Sequence, residues 1–330
     1  MTTRKVKRRE FLFHRYEIAF TGLNHSTLVT KLYDIFSNDF KVGYVRDFSK
    51  RSDPLIEANL LDKDIVLIEG SKNSQAKKFV FIDEKGEQEE IKNVLAYLYR
   101  EQAPKDLALP AFQVDDIDSI SKCILEYFSN LHLETPLNAL ILGGGRSSRM
   151  MSDKGALNYH GLNQIDFIHS LLKEQVSEVY VSCREDQSEL EHLKNHKQIH
   201  DRYIEFGPTG GILSASAMDP NSSWLVVACD LPFLTSETIA DLIKRHNPFK
   251  VATCFENPEK KWPEPLCTIY TPKAAQRLAQ YLSIGKPCPR KVLFNSEVEL
   301  LNLPDERALD NINTPSEFKA TQSRLLEGVL

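Results

Sequence analysis

Two series of short, almost uninterrupted apolar runs, each followed by a polar or amphipathic stretch, limit what this chain can fold into more than any other feature. The first series is YEIAF, KVGYV, DIVLIEG and KFVFID, and it ends with LPAFQV before DDIDSISKCILEYFSNL. In that last segment Ile117, Ile120, Ile124, Tyr127 and Phe128 recur at spacings of three and four, the apolar face of a helix. The second series is NALILGG, SEVYVSC, SSWLVVACD, FKVATCF, PLCTIYT and SEVELLNL. Strands apolar along their whole length are covered on both faces, and strands that alternate with helices form parallel sheets. The expected fold class is therefore α/β, with two tandem doubly wound, mostly parallel-sheet domains. The seam falls near LHLETP (131–136), where a helix runs out and Pro136 precedes a new strand. This predicts a first domain over 1–132, a linker over 133–137 and a second domain over 138–330, and a chain of 330 residues suits two domains.

Charge and patterning exclude several classes of function. The net charge of −5 argues against a protein that coats nucleic acid. No apolar run approaches the roughly 20 residues that span a bilayer, so no membrane association is expected. The charges in MTTRKVKRREFLFHRYEIAF interrupt any signal-like apolar core, and KRRE at 7–10 reads as solvated. The six cysteines form no CxxC pair, and several sit in strand-like runs (VSC, VVAC, ATC, PLC), as small buried hydrophobes do. That usage points to a reducing, cytoplasmic setting rather than to disulfides or a zinc ribbon. His192, His196 and His200 recur at spacing four, which on a helix gives one face; that spacing can bind a metal, but the Lys- and Glu-rich surroundings favour a solvated helix face.

Chemistry concentrates in NALILGGGRSSRMMSDKG, 138–155. Gly143, Gly144 and Gly145 follow the strand ALIL directly, at the strand end where open α/β sheets bind ligands. Without Cβ atoms their amides can close around phosphate oxygens, and Arg149 and Lys154 add the positive charge that a triphosphate demands. GxxxxGK[ST] and GxGxxG are both absent, and a plain strand-to-helix turn is the other reading of the same residues. Further on, WLVVA delivers Asp230 to the same kind of strand end. A carboxylate among phosphates is a natural Mg²⁺ ligand, while a helix cap or turn residue is the structural alternative.

The pattern L-x-G-G-x-x-x-R-M-x-x-D-K-G at 142–155 resembles the molybdenum cofactor guanylyltransferase family of MobA-type enzymes. So do FGPTGGI at 206–212, VVACDLPFL at 226–234, PEPLCTIY at 263–270 and NINTP at 311–315, in family order across 137–330. The resemblance implies a Rossmann-like nucleotidyltransferase fold and transfer of GMP from Mg-GTP to the terminal phosphate of molybdopterin, with release of pyrophosphate. It implies nucleotide binding by Leu142, Gly143, Gly144, Gly145, Lys154, Ser182, Asp201 and Asp230. Lys154, Arg149 and Asp230 would be catalytic, with Asp230 the Mg²⁺ ligand, and Asn311, Asn313 and Arg290 would lie toward the pterin. Two positions depart from the pattern: Met151 stands where a glycine is usual, and Ser182 where an Asn is usual. A cytidylyltransferase using CTP is the nearest alternative, although CTP-using variants tend toward Leu-Ala-Ala-Gly in the first loop. A non-catalytic molybdopterin carrier or assembly protein is the other. Partners implied are molybdenum-cofactor insertion proteins or molybdoenzymes.

The first half resembles the MobB-type GTP-binding protein of the same pathway, through IAFTGLNHSTLVTKLYDIF (18–36), KVGYVRD (41–47), DIVLIEGSK (64–72) and LPAFQVDDIDSI (109–120). Where that relative has a P-loop, this chain has Gly22-Leu23-Asn24-His25-Ser26-Thr27, shorter and without the second glycine and the lysine. Those residues provide the amide wrap and the charge that hold β- and γ-phosphates. The domain is expected not to hydrolyse nucleotide and to bind GTP weakly or not at all. It would serve in interaction, docking or homodimer formation, or persist as a structural remnant.

Overall fold

The structure, a computed structural model, describes residues 16–22, 26–46, 59–70, 72, 74–82, 91–103, 105–143, 153–312 and 314–326. The chain divides into two compact units, Met1–Glu134 and Thr135–Leu330.

In the first unit the apolar runs become β1 (Glu17–Thr21), β2 (Val42–Val45), β3 (Ile65–Glu69), β4 (Lys77–Phe81), β5 (Val94–Tyr99) and β6 (Ala111–Gln113). Helix α1 (Ser26–Phe36) follows β1, and α2 (Ile117–Leu133) ends the unit. The sheet order is β2-β3-β1-β4-β5-β6, and every pairing is parallel. β1 is buried at all five positions, as expected of a strand with covered faces. α2 buries Ile120, Ile124 and Phe128 and starts on Asp116, whose side chain accepts from the Ser119 amide at 3.1 Å. Strand β5 was not among the expected runs: its residues alternate between buried and half-exposed, a weaker signal than the continuous runs. Lys78 on β4 is fully buried, and its ammonium donates to the carbonyls of Ser74, Ala76 and Lys92. Those carbonyls satisfy its three donors.

The second unit runs β7 (Leu137–Leu142), α3 (Gln164–Leu172), β8 (Glu178–Cys183), β9 (Gln198–His200), α4 (Pro208–Met218), β10 (Ser223–Ala228), α5 (Ser236–Lys244), β11 (Ala252–Glu256), β12 (Pro263–Tyr270), α6 (Pro272–Ser283), α7 (Pro289–Phe294), β13 (Val298–Leu301) and α8 (Pro315–Leu326). Its sheet order is β13-β11-β12-β10-β7-β8-β9. All pairings are parallel except those of β12, which runs antiparallel to both β10 and β11. The fold is thus mostly parallel α/β, with one reversed strand inside the sheet. Because β12 is reversed, its start at Pro263 lies at the sheet edge where β10 ends; Val227 pairs with Cys267 and Trp224 with Tyr270. Two apolar clusters cover the sheet, one around Ile141, Ile165, Val181 and Val227, the other around Leu140, Ile212, Val226 and Tyr270.

Candidate active site

Strand register decides what meets at the carboxyl ends of β7, β8 and β10. Leu142 stands opposite Ala228 on one side and Ser182 on the other. Gly143 and Asp230 therefore leave the sheet at one edge. Cys183 pairs with His200, which brings Asp201 to that edge as well. There a cavity of about 480 Å³ opens, lined by Leu142, Gly143, Lys154, Ser182, Asp201 and Asp230, with Asp153, Tyr203 and Cys229. Of the residues expected around a nucleotide, Gly144, Gly145 and Arg149 lie outside the described residues, as do Met151 and KRRE at 7–10.

Lys154 sits in a single 3₁₀ turn, Lys154–Ala156, capped by Asp153, whose side chain accepts from the Gly155 amide at 3.0 Å. The turn packs tightly: a Cβ on Gly155 would meet Ile165 Cγ1 at 2.9 Å and His192 Cδ2 at 3.3 Å. From it Lys154 Nζ donates to Asp230 Oδ2 at 2.8 Å, with both side chains about one-fifth exposed. Burial pushes the Asp153 carboxyl up, but the His192 hydrogen bond, the Gly155 amide and the charges of His192 and Arg184 outweigh it, and the net shift is downward.

Asp201 has the opposite balance. Burial raises its carboxyl above the ordinary value, only partly offset by the hydrogen bond from Ser182 and the charge of Arg184. Ser182, almost fully buried, donates to Asp201 Oδ1 at 2.6 Å. The glycines of FGPTGGI explain themselves here. A Cβ on Gly211 would lie 2.5 Å from Ser182 Oγ and 2.9 Å from Leu142 Cδ2, and one on Gly210 would collide with the Tyr203 carbonyl. Only glycine lets the start of α4 approach the strand ends this closely. Cys229 reaches the same cavity, but burial pushes its thiol far up, so it offers no thiolate nucleophile.

A second cavity, of about 510 Å³, shares Ala228, Asp230 and Leu266 with the first and is also lined by Lys260, Trp262, Glu264, Arg290, Asp310 and Asn311. The Arg290 guanidinium lies 4.4 Å over the Trp262 ring, and its Nη2 is 3.6 Å from Glu264 Oε2. Asn311 is brought here by its neighbour: the Ile312 amide donates to the Asp230 carbonyl at 3.1 Å. Asn313 lies outside the described residues. The structure thus brings Asp230, Arg290 and Asn311 to one cavity and Asp230, Lys154, Ser182 and Asp201 to the other. Trp262 escaped the sequence reading; its signal was a large aromatic in a polar turn directly before PEP.

The histidine spacing is corrected. Residues 190–197 form successive turns rather than a helix, held by the Gln198 side-chain amide, which donates to the carbonyls of Ser188 and Leu193 at 2.9 Å each. Nor is the face solvated: His192 is 10% exposed and faces Asp153, and His196 is 11% exposed with Nε2 2.8 Å from Asp166 Oδ1. Among the described residues no group of three or more His, Cys, Asp or Glu could hold a metal ion.

In the first unit, Glu69 ends β3 at the edge from which α1 starts. Ser26, the first residue of α1, and the Tyr44 hydroxyl both donate to its carboxylate. Burial and the Glu69 carboxylate raise the Tyr44 phenol above its ordinary value. Leu23, Asn24 and His25 lie outside the described residues. The strand edge of the shortened loop thus holds a protein carboxylate bonded to the first helical residue.

A parallel sheet with glycine, lysine and aspartate converging at one strand edge is the architecture of a nucleotidyltransferase domain. Comparison with known proteins agrees: residues 139–299 are a MobA-like NTP transferase domain. A "Molybdenum cofactor biosynthesis bifunctional protein" of Synechocystis is 37% identical over 185 residues, 56% of this chain and 53% of that protein. The match therefore spans about half the length of that relative. A "Molybdenum cofactor guanylyltransferase" of Pseudomonas aeruginosa is 27% identical over 182 residues, covering 54% of this chain and 91% of that protein. Among solved structures, a molybdopterin-guanine dinucleotide biosynthesis protein A from Archaeoglobus fulgidus covers 58% of this chain and 99% of its own at 21% identity and TM-score 0.48. A MobB protein homolog from Bacillus stearothermophilus covers 35% of this chain and 99% of its own at 19% identity and TM-score 0.31. No helix among the described residues is long and apolar enough to cross a membrane.

Proposed function

We propose that this protein transfers GMP from Mg-GTP to the terminal phosphate of molybdopterin, giving molybdopterin guanine dinucleotide and pyrophosphate. The observation that carries the reading is the Lys154–Asp230 pair at 2.8 Å, with Asp230 common to two adjoining cavities. A donor nucleotide in one and an acceptor in the other would meet at that carboxylate. The backbone of Leu142 and Gly143 and the ammonium of Lys154 hold phosphates, together with Gly144, Gly145 and Arg149 by the family pattern. Asp201, oriented by Ser182, takes the nucleoside. Arg290, Asn311 and Asn313 take the acceptor.

The donor set fits Mg²⁺, which typically binds one or two carboxylates plus substrate phosphates rather than an all-protein cage. Asp230 is the hard oxygen ligand at the cavity, and no cage of three or more such side chains exists among the described residues. When bound, Mg²⁺ neutralises phosphate charge. An oxygen of the acceptor phosphate attacks the α-phosphorus, the bond to the β-phosphate oxygen breaks, and pyrophosphate leaves with the electron pair. Lys154 and Arg149 stabilise charge on that leaving group. A phosphate monoester, with a second pKa of about 6, is already anionic near neutrality, so no general base is needed.

The first unit, we infer, hydrolyses no nucleotide and serves in docking or self-association. The Glu69 carboxylate at the strand edge of its shortened loop supports this. Partners would be molybdenum-cofactor insertion proteins or molybdoenzymes, with homodimer formation through this unit. Six free thiols support a cytoplasmic setting. The test incubates the purified chain and Mg²⁺ with molybdenum-loaded molybdopterin and GTP, CTP or ATP in turn. A guanine dinucleotide is expected. Product with CTP alone assigns the cytidylyltransferase instead, and no product with any nucleotide assigns a carrier.

A further inference from the structure

We infer that His192 is a positioning residue for Lys154, acting through Asp153 on the turn that presents the lysine; the inference rests on the transfer reading for the purpose of that lysine. Three observations converge. His192 Nε2 lies 3.3 Å from Asp153 Oδ2, and its side chain is only 10% exposed. That nitrogen is buried and makes no aligned hydrogen bond among the described residues, so the Asp153 carboxylate is the group it faces. The His192 ring also packs on Gly155, since a Cβ there would meet His192 Cδ2 at 3.3 Å.

Asp153 uses its two oxygens differently. Oδ1 accepts from the Gly155 amide and closes the turn; Oδ2 faces the imidazole. The turn is one residue triplet long, too short to hold its own shape without outside contacts. Ile165 braces it by packing, while His192 braces it by packing and by the polar approach to Asp153. Lys154 is the first residue of the triplet, so fixing the cap fixes where its stem starts. A four-carbon ammonium stem is otherwise free to rotate. The sequence pattern D-K-G names the turn, but its support lies nearly forty residues on, in a segment that the motifs do not include.

Two substitutions separate packing from polarity. His192→Phe keeps a ring against Gly155 and removes the nitrogens; His192→Gln keeps an amide donor toward Asp153. Acylation of individual lysines by an N-hydroxysuccinimide ester, read by peptide mass spectrometry, reports how firmly Lys154 is held on Asp230, with the exposed Lys122 as internal reference. In His192→Phe, Lys154 should react about tenfold faster, the scale of a lost hydrogen bond to a charged group. KM for Mg-GTP should rise by about the same factor with kcat little changed, because ground-state holding is lost. His192→Gln should return both values toward those of the parent chain. Wild-type acylation of Lys154 in His192→Phe overturns the inference, and so does an equal rise at Lys122, which would report general loosening. A parent chain that forms no dinucleotide overturns the transfer reading alone, since the acylation comparison still decides the role of His192.

Discussion

Lys154 and Asp230 stand 76 residues apart in sequence and 2.8 Å apart in space, lysine on a capped turn and aspartate beyond a central strand. Before any ligand arrives the two charges satisfy each other, so the cavity is poised but neutral at its centre. A phosphate takes over the ammonium, and the carboxylate becomes available to a cation.

Replacing Asp230 with Ala should therefore lower guanylyl transfer by about 10²–10³-fold or more, the cost of removing a preorganised electrostatic element. The unfolding midpoint should change little, because Lys154, one-fifth exposed, is still hydrated in the variant. Turnover by product chromatography and thermal melting together check this. Full activity in the presence of Mg²⁺ would remove the basis of the mechanism.

Two carboxylates of the same cavity should respond to pH with opposite sign. Asp153 is held below its ordinary value, so its charge stabilises the fold above the normal carboxylate range, and that stability is lost as pH falls through the folded value. Asp153→Asn should thus destabilise at pH 7 and become harmless in acid. Asp201 is raised, so its charged form costs stability above the unfolded value. Asp201→Asn should stabilise at pH 7, lose that gain in acid, and weaken nucleotide binding. Denaturant melts across pH check both.

Gly210→Ala should damage the fold more than Gly211→Ala. At 210 the added methyl meets the Tyr203 backbone carbonyl, and at 211 chiefly the side chains of Ser182 and Leu142. Overpacking of this kind costs about 1–3 kcal/mol. Adding Ser182→Ala to Gly211→Ala should recover part of the loss, a coupling that a double-mutant cycle measures. No substitution at 182 should rescue Gly210→Ala.

The full chain should bind a single GTP, and Lys154→Ala should weaken it sharply. Titration calorimetry that finds a second nucleotide unaffected by Lys154→Ala would reinstate the first unit as a nucleotide site.

Much of this was legible in the linear chain because continuous Val and Ile runs mark buried strands wherever they occur. The glycine run after ALIL, Lys154 and Asp230 were readable for the same reason, since each abuts such a run. Strand direction was not readable: PEPLCTIY is buried along most of its length whichever way it runs, and only pairing reveals that β12 is reversed. Strand β5 was missed because an alternating, half-exposed pattern over six residues competes with helical readings. His192 and His196 were misread because spacing four suggests a helix only where a helix exists. Here Gln198 holds the segment in turns, a long-range constraint with no local periodicity.

The reversed strand β12 carries a consequence for how such a molecule can change. A wholly parallel sheet would offer its ligands one rim of outgoing strand ends; β12 adds an incoming connection, residues 257–262, to that rim. This connection borders one compartment and not the other, while Asp230 borders both. Mutational drift in that connection can retune what enters one chamber and leave the neighbouring chamber's walls untouched, with the shared carboxylate as the fixed hinge of the division.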